Sequence, residues 1–330
     1  MYISQRKVKN MKKVISLLLA TLMMLTLVSC GDTAADEDKV YEIGICQLVQ
    51  HPALDEATKG FKDALTEKLG DKVKFDEQNA SGEATNCTTI TSKFVSDKVD
   101  LIMANATDAL AAASQATADI PIVATSITDY ATALGISDWT GKTGFNVTGT
   151  ADLAPLAEQA AMLKELVPDA KNVGILYCSA EKNSKYQADV ITKEFEALGM
   201  TVKVYTFVDT NDVTAVTQQM VTDACDAIFV PTDNTAASNT EAINNVLEPA
   251  KIPVIAGEEG ICKGCGIATL SISYYDIGYK AGEMAYEILV NGKDPADMEI
   301  EYAKELTKKY MADRAAAAGI TIPEGYEPIA

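Results

Sequence analysis

From residue 40 onward, short apolar runs alternate with longer segments whose apolar positions recur every three or four residues. The short runs predict strands at residues 40–49, 73–78, 99–104, 120–125, 143–147, 173–177, 201–207, 227–231, 253–257 and 267–271. Between most of them the period predicts helices, among them 52–69, 153–166, 184–198 and 275–290. β-rich runs alternating with amphipathic helices imply βαβ units and parallel sheets. Ten strands exceed what one small lobe holds, so the pattern predicts an α/β protein of two Rossmann-like lobes with parallel sheets joined by a hinge. We place the first lobe at 40–148 plus about 268–296 and the second at 149–267 plus about 297–330.

An internal echo agrees with two lobes. Asp100 opens a buried run that ends in a polar turn at Thr107-Asp108, followed by a helix and by Ile120-Pro121 before the next buried run. Asp226 opens a second run, ending in Thr232-Asp233-Asn234, followed by a helix and by Ile252-Pro253. Two related lobes would put Thr107 and Asp233 at equivalent places.

The N-terminus carries a different pattern. Lys12 and Lys13 precede an apolar run from Val14 to Val28, and the run closes in Leu27-Val28-Ser29-Cys30. Residues 1–30 read as a secretory signal peptide, too short in its apolar part to span a bilayer stably. The last four resemble the bacterial lipobox, whose cysteine is acylated and begins the mature chain; a cysteine following an ordinary signal peptide by chance is the alternative. Met11 also suits a start. Residues 31–39 are acidic and lack large apolar side chains, apart from Lys39 at the end, as in a flexible tether. The expectation is an exported protein, lipid-anchored through Cys30 to the outer face of the cytoplasmic membrane.

Charge narrows the partners. Formal net charge is −19, and loss of Arg6, Lys7, Lys9, Lys12 and Lys13 with the signal leaves the remainder near −24. Such a body is repelled by nucleic acid and by anionic lipid, so neither is an expected partner of the folded part. Cys46, Cys87, Cys178 and Cys225 sit in or beside apolar segments and read as buried small hydrophobes. Cys262-Lys-Gly-Cys265 suits a disulfide, a redox motif, half a zinc site or two free thiols. There is no second CxxC, and His51 is the lone histidine, expected exposed or at a pocket rim. No metal and no cofactor is predicted. Neither GxxxxGK[ST] nor GxSxG occurs, so the reading is a binding protein and not an enzyme.

Ligands of parallel α/β sheets lie beyond the carboxyl ends of the strands. The residues there are Gln47, Leu48, Leu54 and Asp55; Ala106 and Thr107; Ser126, Thr128 and Asp129; Glu181, Asn183 and Ser184; Thr232, Asp233 and Asn234; and Glu258. For each polar one the competing role is a helix N-cap. Three segments exceed that need. Only one of Thr232, Asp233 and Asn234 is required as a cap, which leaves a spare carboxylate for the cleft. Ser184 is expected to cap, which frees Glu181 and Asn183. Pro52 opens a helix and turns Leu54 toward the ligand side. Acidic groups with apolar contacts suit a ligand that carries an ammonium group.

Asn79-Ala80, Asp100-Leu-Ile102, Ile127-Thr-Asp129, Asn146-Val-Thr-Gly149, Asn172-Val-Gly-Ile-Leu-Tyr177, Glu181-x-Asn183-Ser184, Thr232-Asp-Asn234 and Tyr274-Tyr275-x-x-Gly278 stand in the order seen in one group of ABC-transporter substrate-binding proteins. The chain resembles that group from about Tyr41 to about Glu301. The resemblance implies a type I periplasmic-binding fold and uptake of an aromatic amino acid, tyrosine, tryptophan or phenylalanine, with a membrane permease and an ATPase as partners. It further implies that Asp233 pairs with the ligand ammonium, aided by Thr232 or Asn234. Thr107, Ser126 and Ser184 would then take the carboxylate, and Leu48 and Leu54 would wall the side-chain slot. The CxxC and Cys46 depart from that group's pattern. A sugar or nucleoside ligand is disfavoured, because Trp139 is the lone tryptophan and Arg6 and Arg314 are the only arginines. A surface adhesin that uses the lipid anchor is the other alternative.

Overall fold

A computed structural model describes residues 39–329. The signal peptide with its lipobox, Cys30, and all of the tether except Lys39 lie outside the described residues.

Parallel strands covered by helices on both faces are apolar throughout, and β3 (Leu101–Asn105) and β4 (Ile122–Ile127) are buried at every position. They lie at the centre of a six-stranded sheet in the order β11-β5-β4-β3-β1-β2, with β1 at Tyr41–Gln47, β2 at Val73–Asn79, β5 at Val147–Ala151 and β11 at Glu301–Tyr302. All its pairings are parallel. The second sheet runs β13-β12-β10-β9-β8-β6-β7, built from β6 (Asn172–Cys178), β7 (Thr201–Phe207), β8 (Ala227–Val230), β9 (Val254–Ala256), β10 (Ala268–Ser271), β12 (Thr307–Tyr310) and β13 (Glu327–Pro328). It is parallel except where β12 runs against β10. Helices α1 (Pro52–Leu69), α2 (Ala84–Asp97), α3 (Thr107–Ala116) and α4 (Tyr130–Leu134) serve the first sheet. The second has α5 (Leu156–Leu166), α6 (Lys182–Ala197), α7 (Val213–Thr222), α8 (Asn234–Ala237), α9 (Thr240–Ala250) and α10 (Glu259–Cys265). Helix α11 (Tyr274–Leu289) returns to the first lobe, and α12 (Ala312–Ala317) follows β12 in the second.

The chain therefore crosses between the sheets three times: after β5, between β10 and α11, and between β11 and β12. Sheet membership differs from the expected division at both later crossings. β10 pairs with β9, Ala268 opposite Ile255, although residues from about 268 were expected in the first lobe. β11 pairs with β5, Glu301 opposite Thr150, although residues from about 297 were expected in the second. A short apolar run identifies a strand but not the sheet edge that it joins.

All ten expected strands form, but the fifth lies at 147–151 rather than 143–147. Gly149 lies inside the observed strand. Its φ is +148°, and a Cβ would fall 1.9 Å from the Ala124 carbonyl oxygen, so the two backbones approach as only glycine allows. Opposite it, the register with β4 slips between Ala124 and Ile127. That bulge shapes the cleft described below.

Helix α11 packs along α1 with backbone against backbone. A Cβ on Gly278 would lie 2.0 Å from the Ala57 carbonyl oxygen, and one on Gly60 would lie 2.1 Å from that of Tyr275. Gly278→Ala gains roughly 1 kcal/mol of helix propensity, but it must force two buried helices apart, a strain of about 1–3 kcal/mol or more. The clash wins because the obstructing atoms are backbone. Urea denaturation of Gly278→Ala is expected to show a net loss of about 2 kcal/mol; an unchanged midpoint would contradict the close packing.

Candidate functional site

The carboxyl ends of both sheets face each other, and the lobes touch there. The Thr128 and Thr232 hydroxyls are 3.4 Å apart. His51 Nε2 lies 3.2 Å from Asn234 Oδ1. Because Asn234 Nδ2 is committed to Glu181, its Oδ1 must accept, so His51 carries its proton on Nε2. Burial pushes the His51 pKa down, which keeps the ring neutral at pH 7. His51 thus bridges the lobes and is buried, which overturns the exposed alternative.

On the first lobe, the β4 bulge turns Ser126 to φ +57°, and Ala106 at the end of β3 has φ +89°. Both are sparsely populated conformations for residues with a side chain, and such strain gathers at ligand sites. The Ser126 hydroxyl is buried and has no hydrogen-bond partner. Beside it α3 begins at Thr107 with no side-chain cap, leaving its first N–H groups and the positive end of its dipole for an anion. Asp129, by contrast, caps α4 through Thr132 N at 2.7 Å. Gln47 is spent internally: Nε2 donates to Val49 O and to Asp55 Oδ1, and Oε1 accepts from Thr58. Leu48 and Leu54, expected to wall a slot, are buried in the first-lobe core with Cys46, Ala80 and Ala106.

On the second lobe, the expectation of a spare carboxylate at Asp233 is corrected. Asp233 is itself the N-cap of α8, with Oδ1 accepting from Ala236 N at 2.7 Å and Oδ2 from Cys178 N at 2.7 Å. Glu181 reinforces the same helix start, accepting from Asn234 N and Nδ2, from Thr235 N and Oγ1, and from Asn183 Nδ2. Glu258 caps α10 through Gly260 N and Ile261 N. Ser184 is not a cap, because α6 starts two residues earlier, at Lys182. Its hydroxyl is 3.5 Å from Thr232 O, and Asn183 Nδ2 is 3.0 Å from the same oxygen. Thr232 is gripped further by Gln187, which donates to Thr232 Oγ1 at 2.6 Å and accepts from Thr232 N.

The sequence reading missed Asp152, which is buried immediately after β5. Its oxygens accept from the Thr128 hydroxyl at 3.1 Å and the Tyr274 hydroxyl at 2.8 Å. The rule of inspecting residues just past each strand would have found it had the fifth strand been placed at 147–151. Gln187, inside a helix, gives no such signal.

Burial dominates the electrostatics. Asp233 is pushed up to about 8 by burial and by the Glu181 charge, and Glu258 up to about 7 by burial. Asp152 is raised by burial against the pull of its two hydroxyl donors. Among the described residues, none of the ion pairs found includes Asp152, Glu181, Asp233 or Glu258. Arg314 is engaged elsewhere, on the carbonyls of Cys262, Lys263 and Gly264. The six described cysteines are buried free thiols, with Cys265 pushed up to about 12 by burial. No group of His, Cys, Asp or Glu among the described residues is arranged to hold a metal. An open cavity of about 980 Å3 runs along the hinge side past Glu258, Ser271 and Tyr274; of the expected site residues it reaches Glu258 alone.

These features fit what similarity shows. Residues 42–326 match the family of ABC transporter substrate binding proteins. The chain belongs to that family. A tyrosine-binding protein of Clostridioides difficile is 38% identical over 88% of this chain and 87% of its own length. The structure of a Streptococcus pneumoniae ABC domain in complex with L-Trp is 32% identical and superposes with a TM-score of 0.83 over 88% of this chain and all of that one. A ligand-free, open substrate-binding protein with adhesive properties from Clostridium difficile, 36% identical over 88% of this chain and 99% of its own, superposes at only 0.68. That relative's structure is open, whereas in this substrate-binding protein the Thr128–Thr232 and His51–Asn234 contacts join the lobes.

A carboxyl group whose pKa is raised by folding is protonated in the native state while the unfolded chain has already ionised. Its stabilising contribution is full below the unfolded value near 3.8 and is lost as pH rises through about 8 for Asp233. Calorimetric melting of the ligand-free protein is expected to rise as pH falls from 8 to 5, with a shallower slope in Asp233→Asn and in Glu258→Gln. Identical slopes in all three proteins would refute the raised values.

Proposed function

We propose that this substrate-binding protein is the exported lipoprotein component of an ABC importer, that it closes on an aromatic amino acid, and that it catalyses no reaction. The observation that carries the reading is the pairing of two unlike environments across one closed cleft. A buried hydroxyl without a partner, Ser126, stands beside an uncapped helix start, and four buried carboxyl groups nearby have no ion-pair partner among the described residues. An α-amino acid presents a carboxylate to the first and an ammonium to the second. The tyrosine-binding relative and the L-Trp complex support an aromatic side chain. Ligand contacts on both lobes favour the closed form by their differential affinity for it, and a permease with its ATPase then receives that form. Anchoring through Cys30 rests on the lipobox. An added adhesive role has support only from the Clostridium difficile relative.

A thermal-shift screen of the twenty amino acids tests the ligand. A ligand at a hundred times its Kd stabilises by ~2.7 kcal/mol, a readily measured shift; no response to tyrosine, tryptophan or phenylalanine would sink the aromatic reading. Ser126→Ala is expected to weaken the best ligand by about tenfold, the worth of one hydrogen bond to a charged group, as measured by calorimetric titration. Labelling of cells with a fatty-acid probe is expected to mark the wild-type protein and not Cys30→Ala.

A further inference from the structure

We infer that Asp152, on the first crossing between the lobes, is the group that receives the ammonium of the ligand, in place of Asp233. This deepens the amino-acid reading above and rests on it. The argument compares how the four buried carboxyl groups are already used. Asp233 is held by backbone N–H of Cys178 and Ala236, and Glu258 by those of Gly260 and Ile261. Glu181 takes two backbone N–H groups, two side-chain amides and a hydroxyl. Each of these three holds a helix start, and turning it toward a ligand would leave buried N–H groups without acceptors, at a cost of about 1–3 kcal/mol per group.

Asp152 is held differently. Its side-chain partners are two hydroxyls, Thr128 at 3.1 Å and Tyr274 at 2.8 Å. A hydroxyl rotates and can donate elsewhere, and the Thr128 oxygen already has a second neighbour in Thr232 Oγ1 at 3.4 Å.

Position points the same way. The Asp152 backbone N–H donates to Ile127 O at 3.2 Å, which fastens Asp152 to the bulged turn that carries Ser126. The ammonium and carboxylate of an α-amino acid are attached to one carbon, so their receptors must be close together. Ser126 and Asp152 flank the same turn, whereas Asp233 belongs to the other lobe. Tyr274 lies just past the second crossing and Thr128 touches Thr232 of the second lobe, so a charge on Asp152 acts on the hinge and on the lobe contact together. Asp152 also interacts electrostatically with Glu258, which adds to the negative character of the locality.

Calorimetric titration of the purified protein with L-tyrosine and L-tryptophan, and with 3-(4-hydroxyphenyl)propanoate and 3-(indol-3-yl)propanoate, which lack the amine, tests the assignment. The wild type is expected to prefer the amino acid by about a hundredfold or more, the usual scale for a buried charge pair. Asp152→Asn should lose that preference while binding the propanoate within about threefold of the wild type, which also reports an intact fold. Asp233→Asn should melt lower yet keep the preference. An Asp152→Asn protein that still prefers the amino acid as strongly as the wild type overturns the assignment and leaves the amino-acid reading standing. A wild type that binds none of the twenty amino acids overturns both. Should Asp152→Asn not fold, a crystal structure of the wild type with L-tyrosine or L-tryptophan decides: an ammonium nitrogen in hydrogen-bond contact with Asp152 supports the assignment, and one held only by Asp233, Glu181 or Glu258 refutes it.

Discussion

Four carboxyl groups, Asp152, Glu181, Asp233 and Glu258, are enclosed between two parallel sheets, and no ion pair among the described residues reaches them. Removing a carboxylate from water without a counter-charge costs several kcal/mol. The fold limits that cost in two ways. Three of the groups are placed at helix starts, where backbone N–H groups and the dipole favour negative charge. The fourth is held by hydroxyls. The residual cost appears as pKa values pushed up to about 8 and about 7 at Asp233 and Glu258. A cationic group entering the cleft would supply the missing counter-charge.

The first-lobe wall depends on backbone geometry. Gly149 brings β5 against Ala124, and the register slip in β4 that accompanies it swings Ser126 into a left-handed conformation with its hydroxyl unused. Bulges commonly re-aim a side chain at a site. The contact of α1 with α11 serves the same end from behind: glycine backbones in contact fix the helix that His51 precedes, and His51 closes on Asn234.

Helix α10 shows how an arginine-poor body uses its single described arginine. Glu258 accepts from the N–H groups at its start, and Arg314 donates to the carbonyls at its end, so both poles of the helix dipole meet an opposite charge. The Cys262 and Cys265 thiols then fill the second-lobe core as buried apolar groups. Their spacing left a disulfide, a redox motif, half a zinc site and two free thiols open; the structure shows two free thiols with a packing role.

Local pattern alone determined much of this protein. Period-2 and period-3.6 runs located the ten main strands and the principal helices, and α1 begins and ends at the predicted residues because Pro52 and Gly70 punctuate the chain there. The rule that ligands gather past strand ends brought Ser126, Thr128, Glu181, Thr232 and Asp233 onto one list; of these, Thr128 and Thr232 meet across the lobes, and Glu181 and Asp233 hold the helix start that follows Thr232. Tertiary structure decided what each of them does. Whether a carboxylate is free or spent depends on where a neighbouring helix begins, and one residue's difference in a start makes Asp233 the cap while a two-residue difference removes Ser184 from that role. Sheet edges were equally unreadable, since β10 and β11 owe their places to partners more than ten residues away in sequence. Asp152 remained hidden because the fifth strand was expected to end at 147, whereas the close approach of Gly149 to the Ala124 backbone carries it on to Ala151.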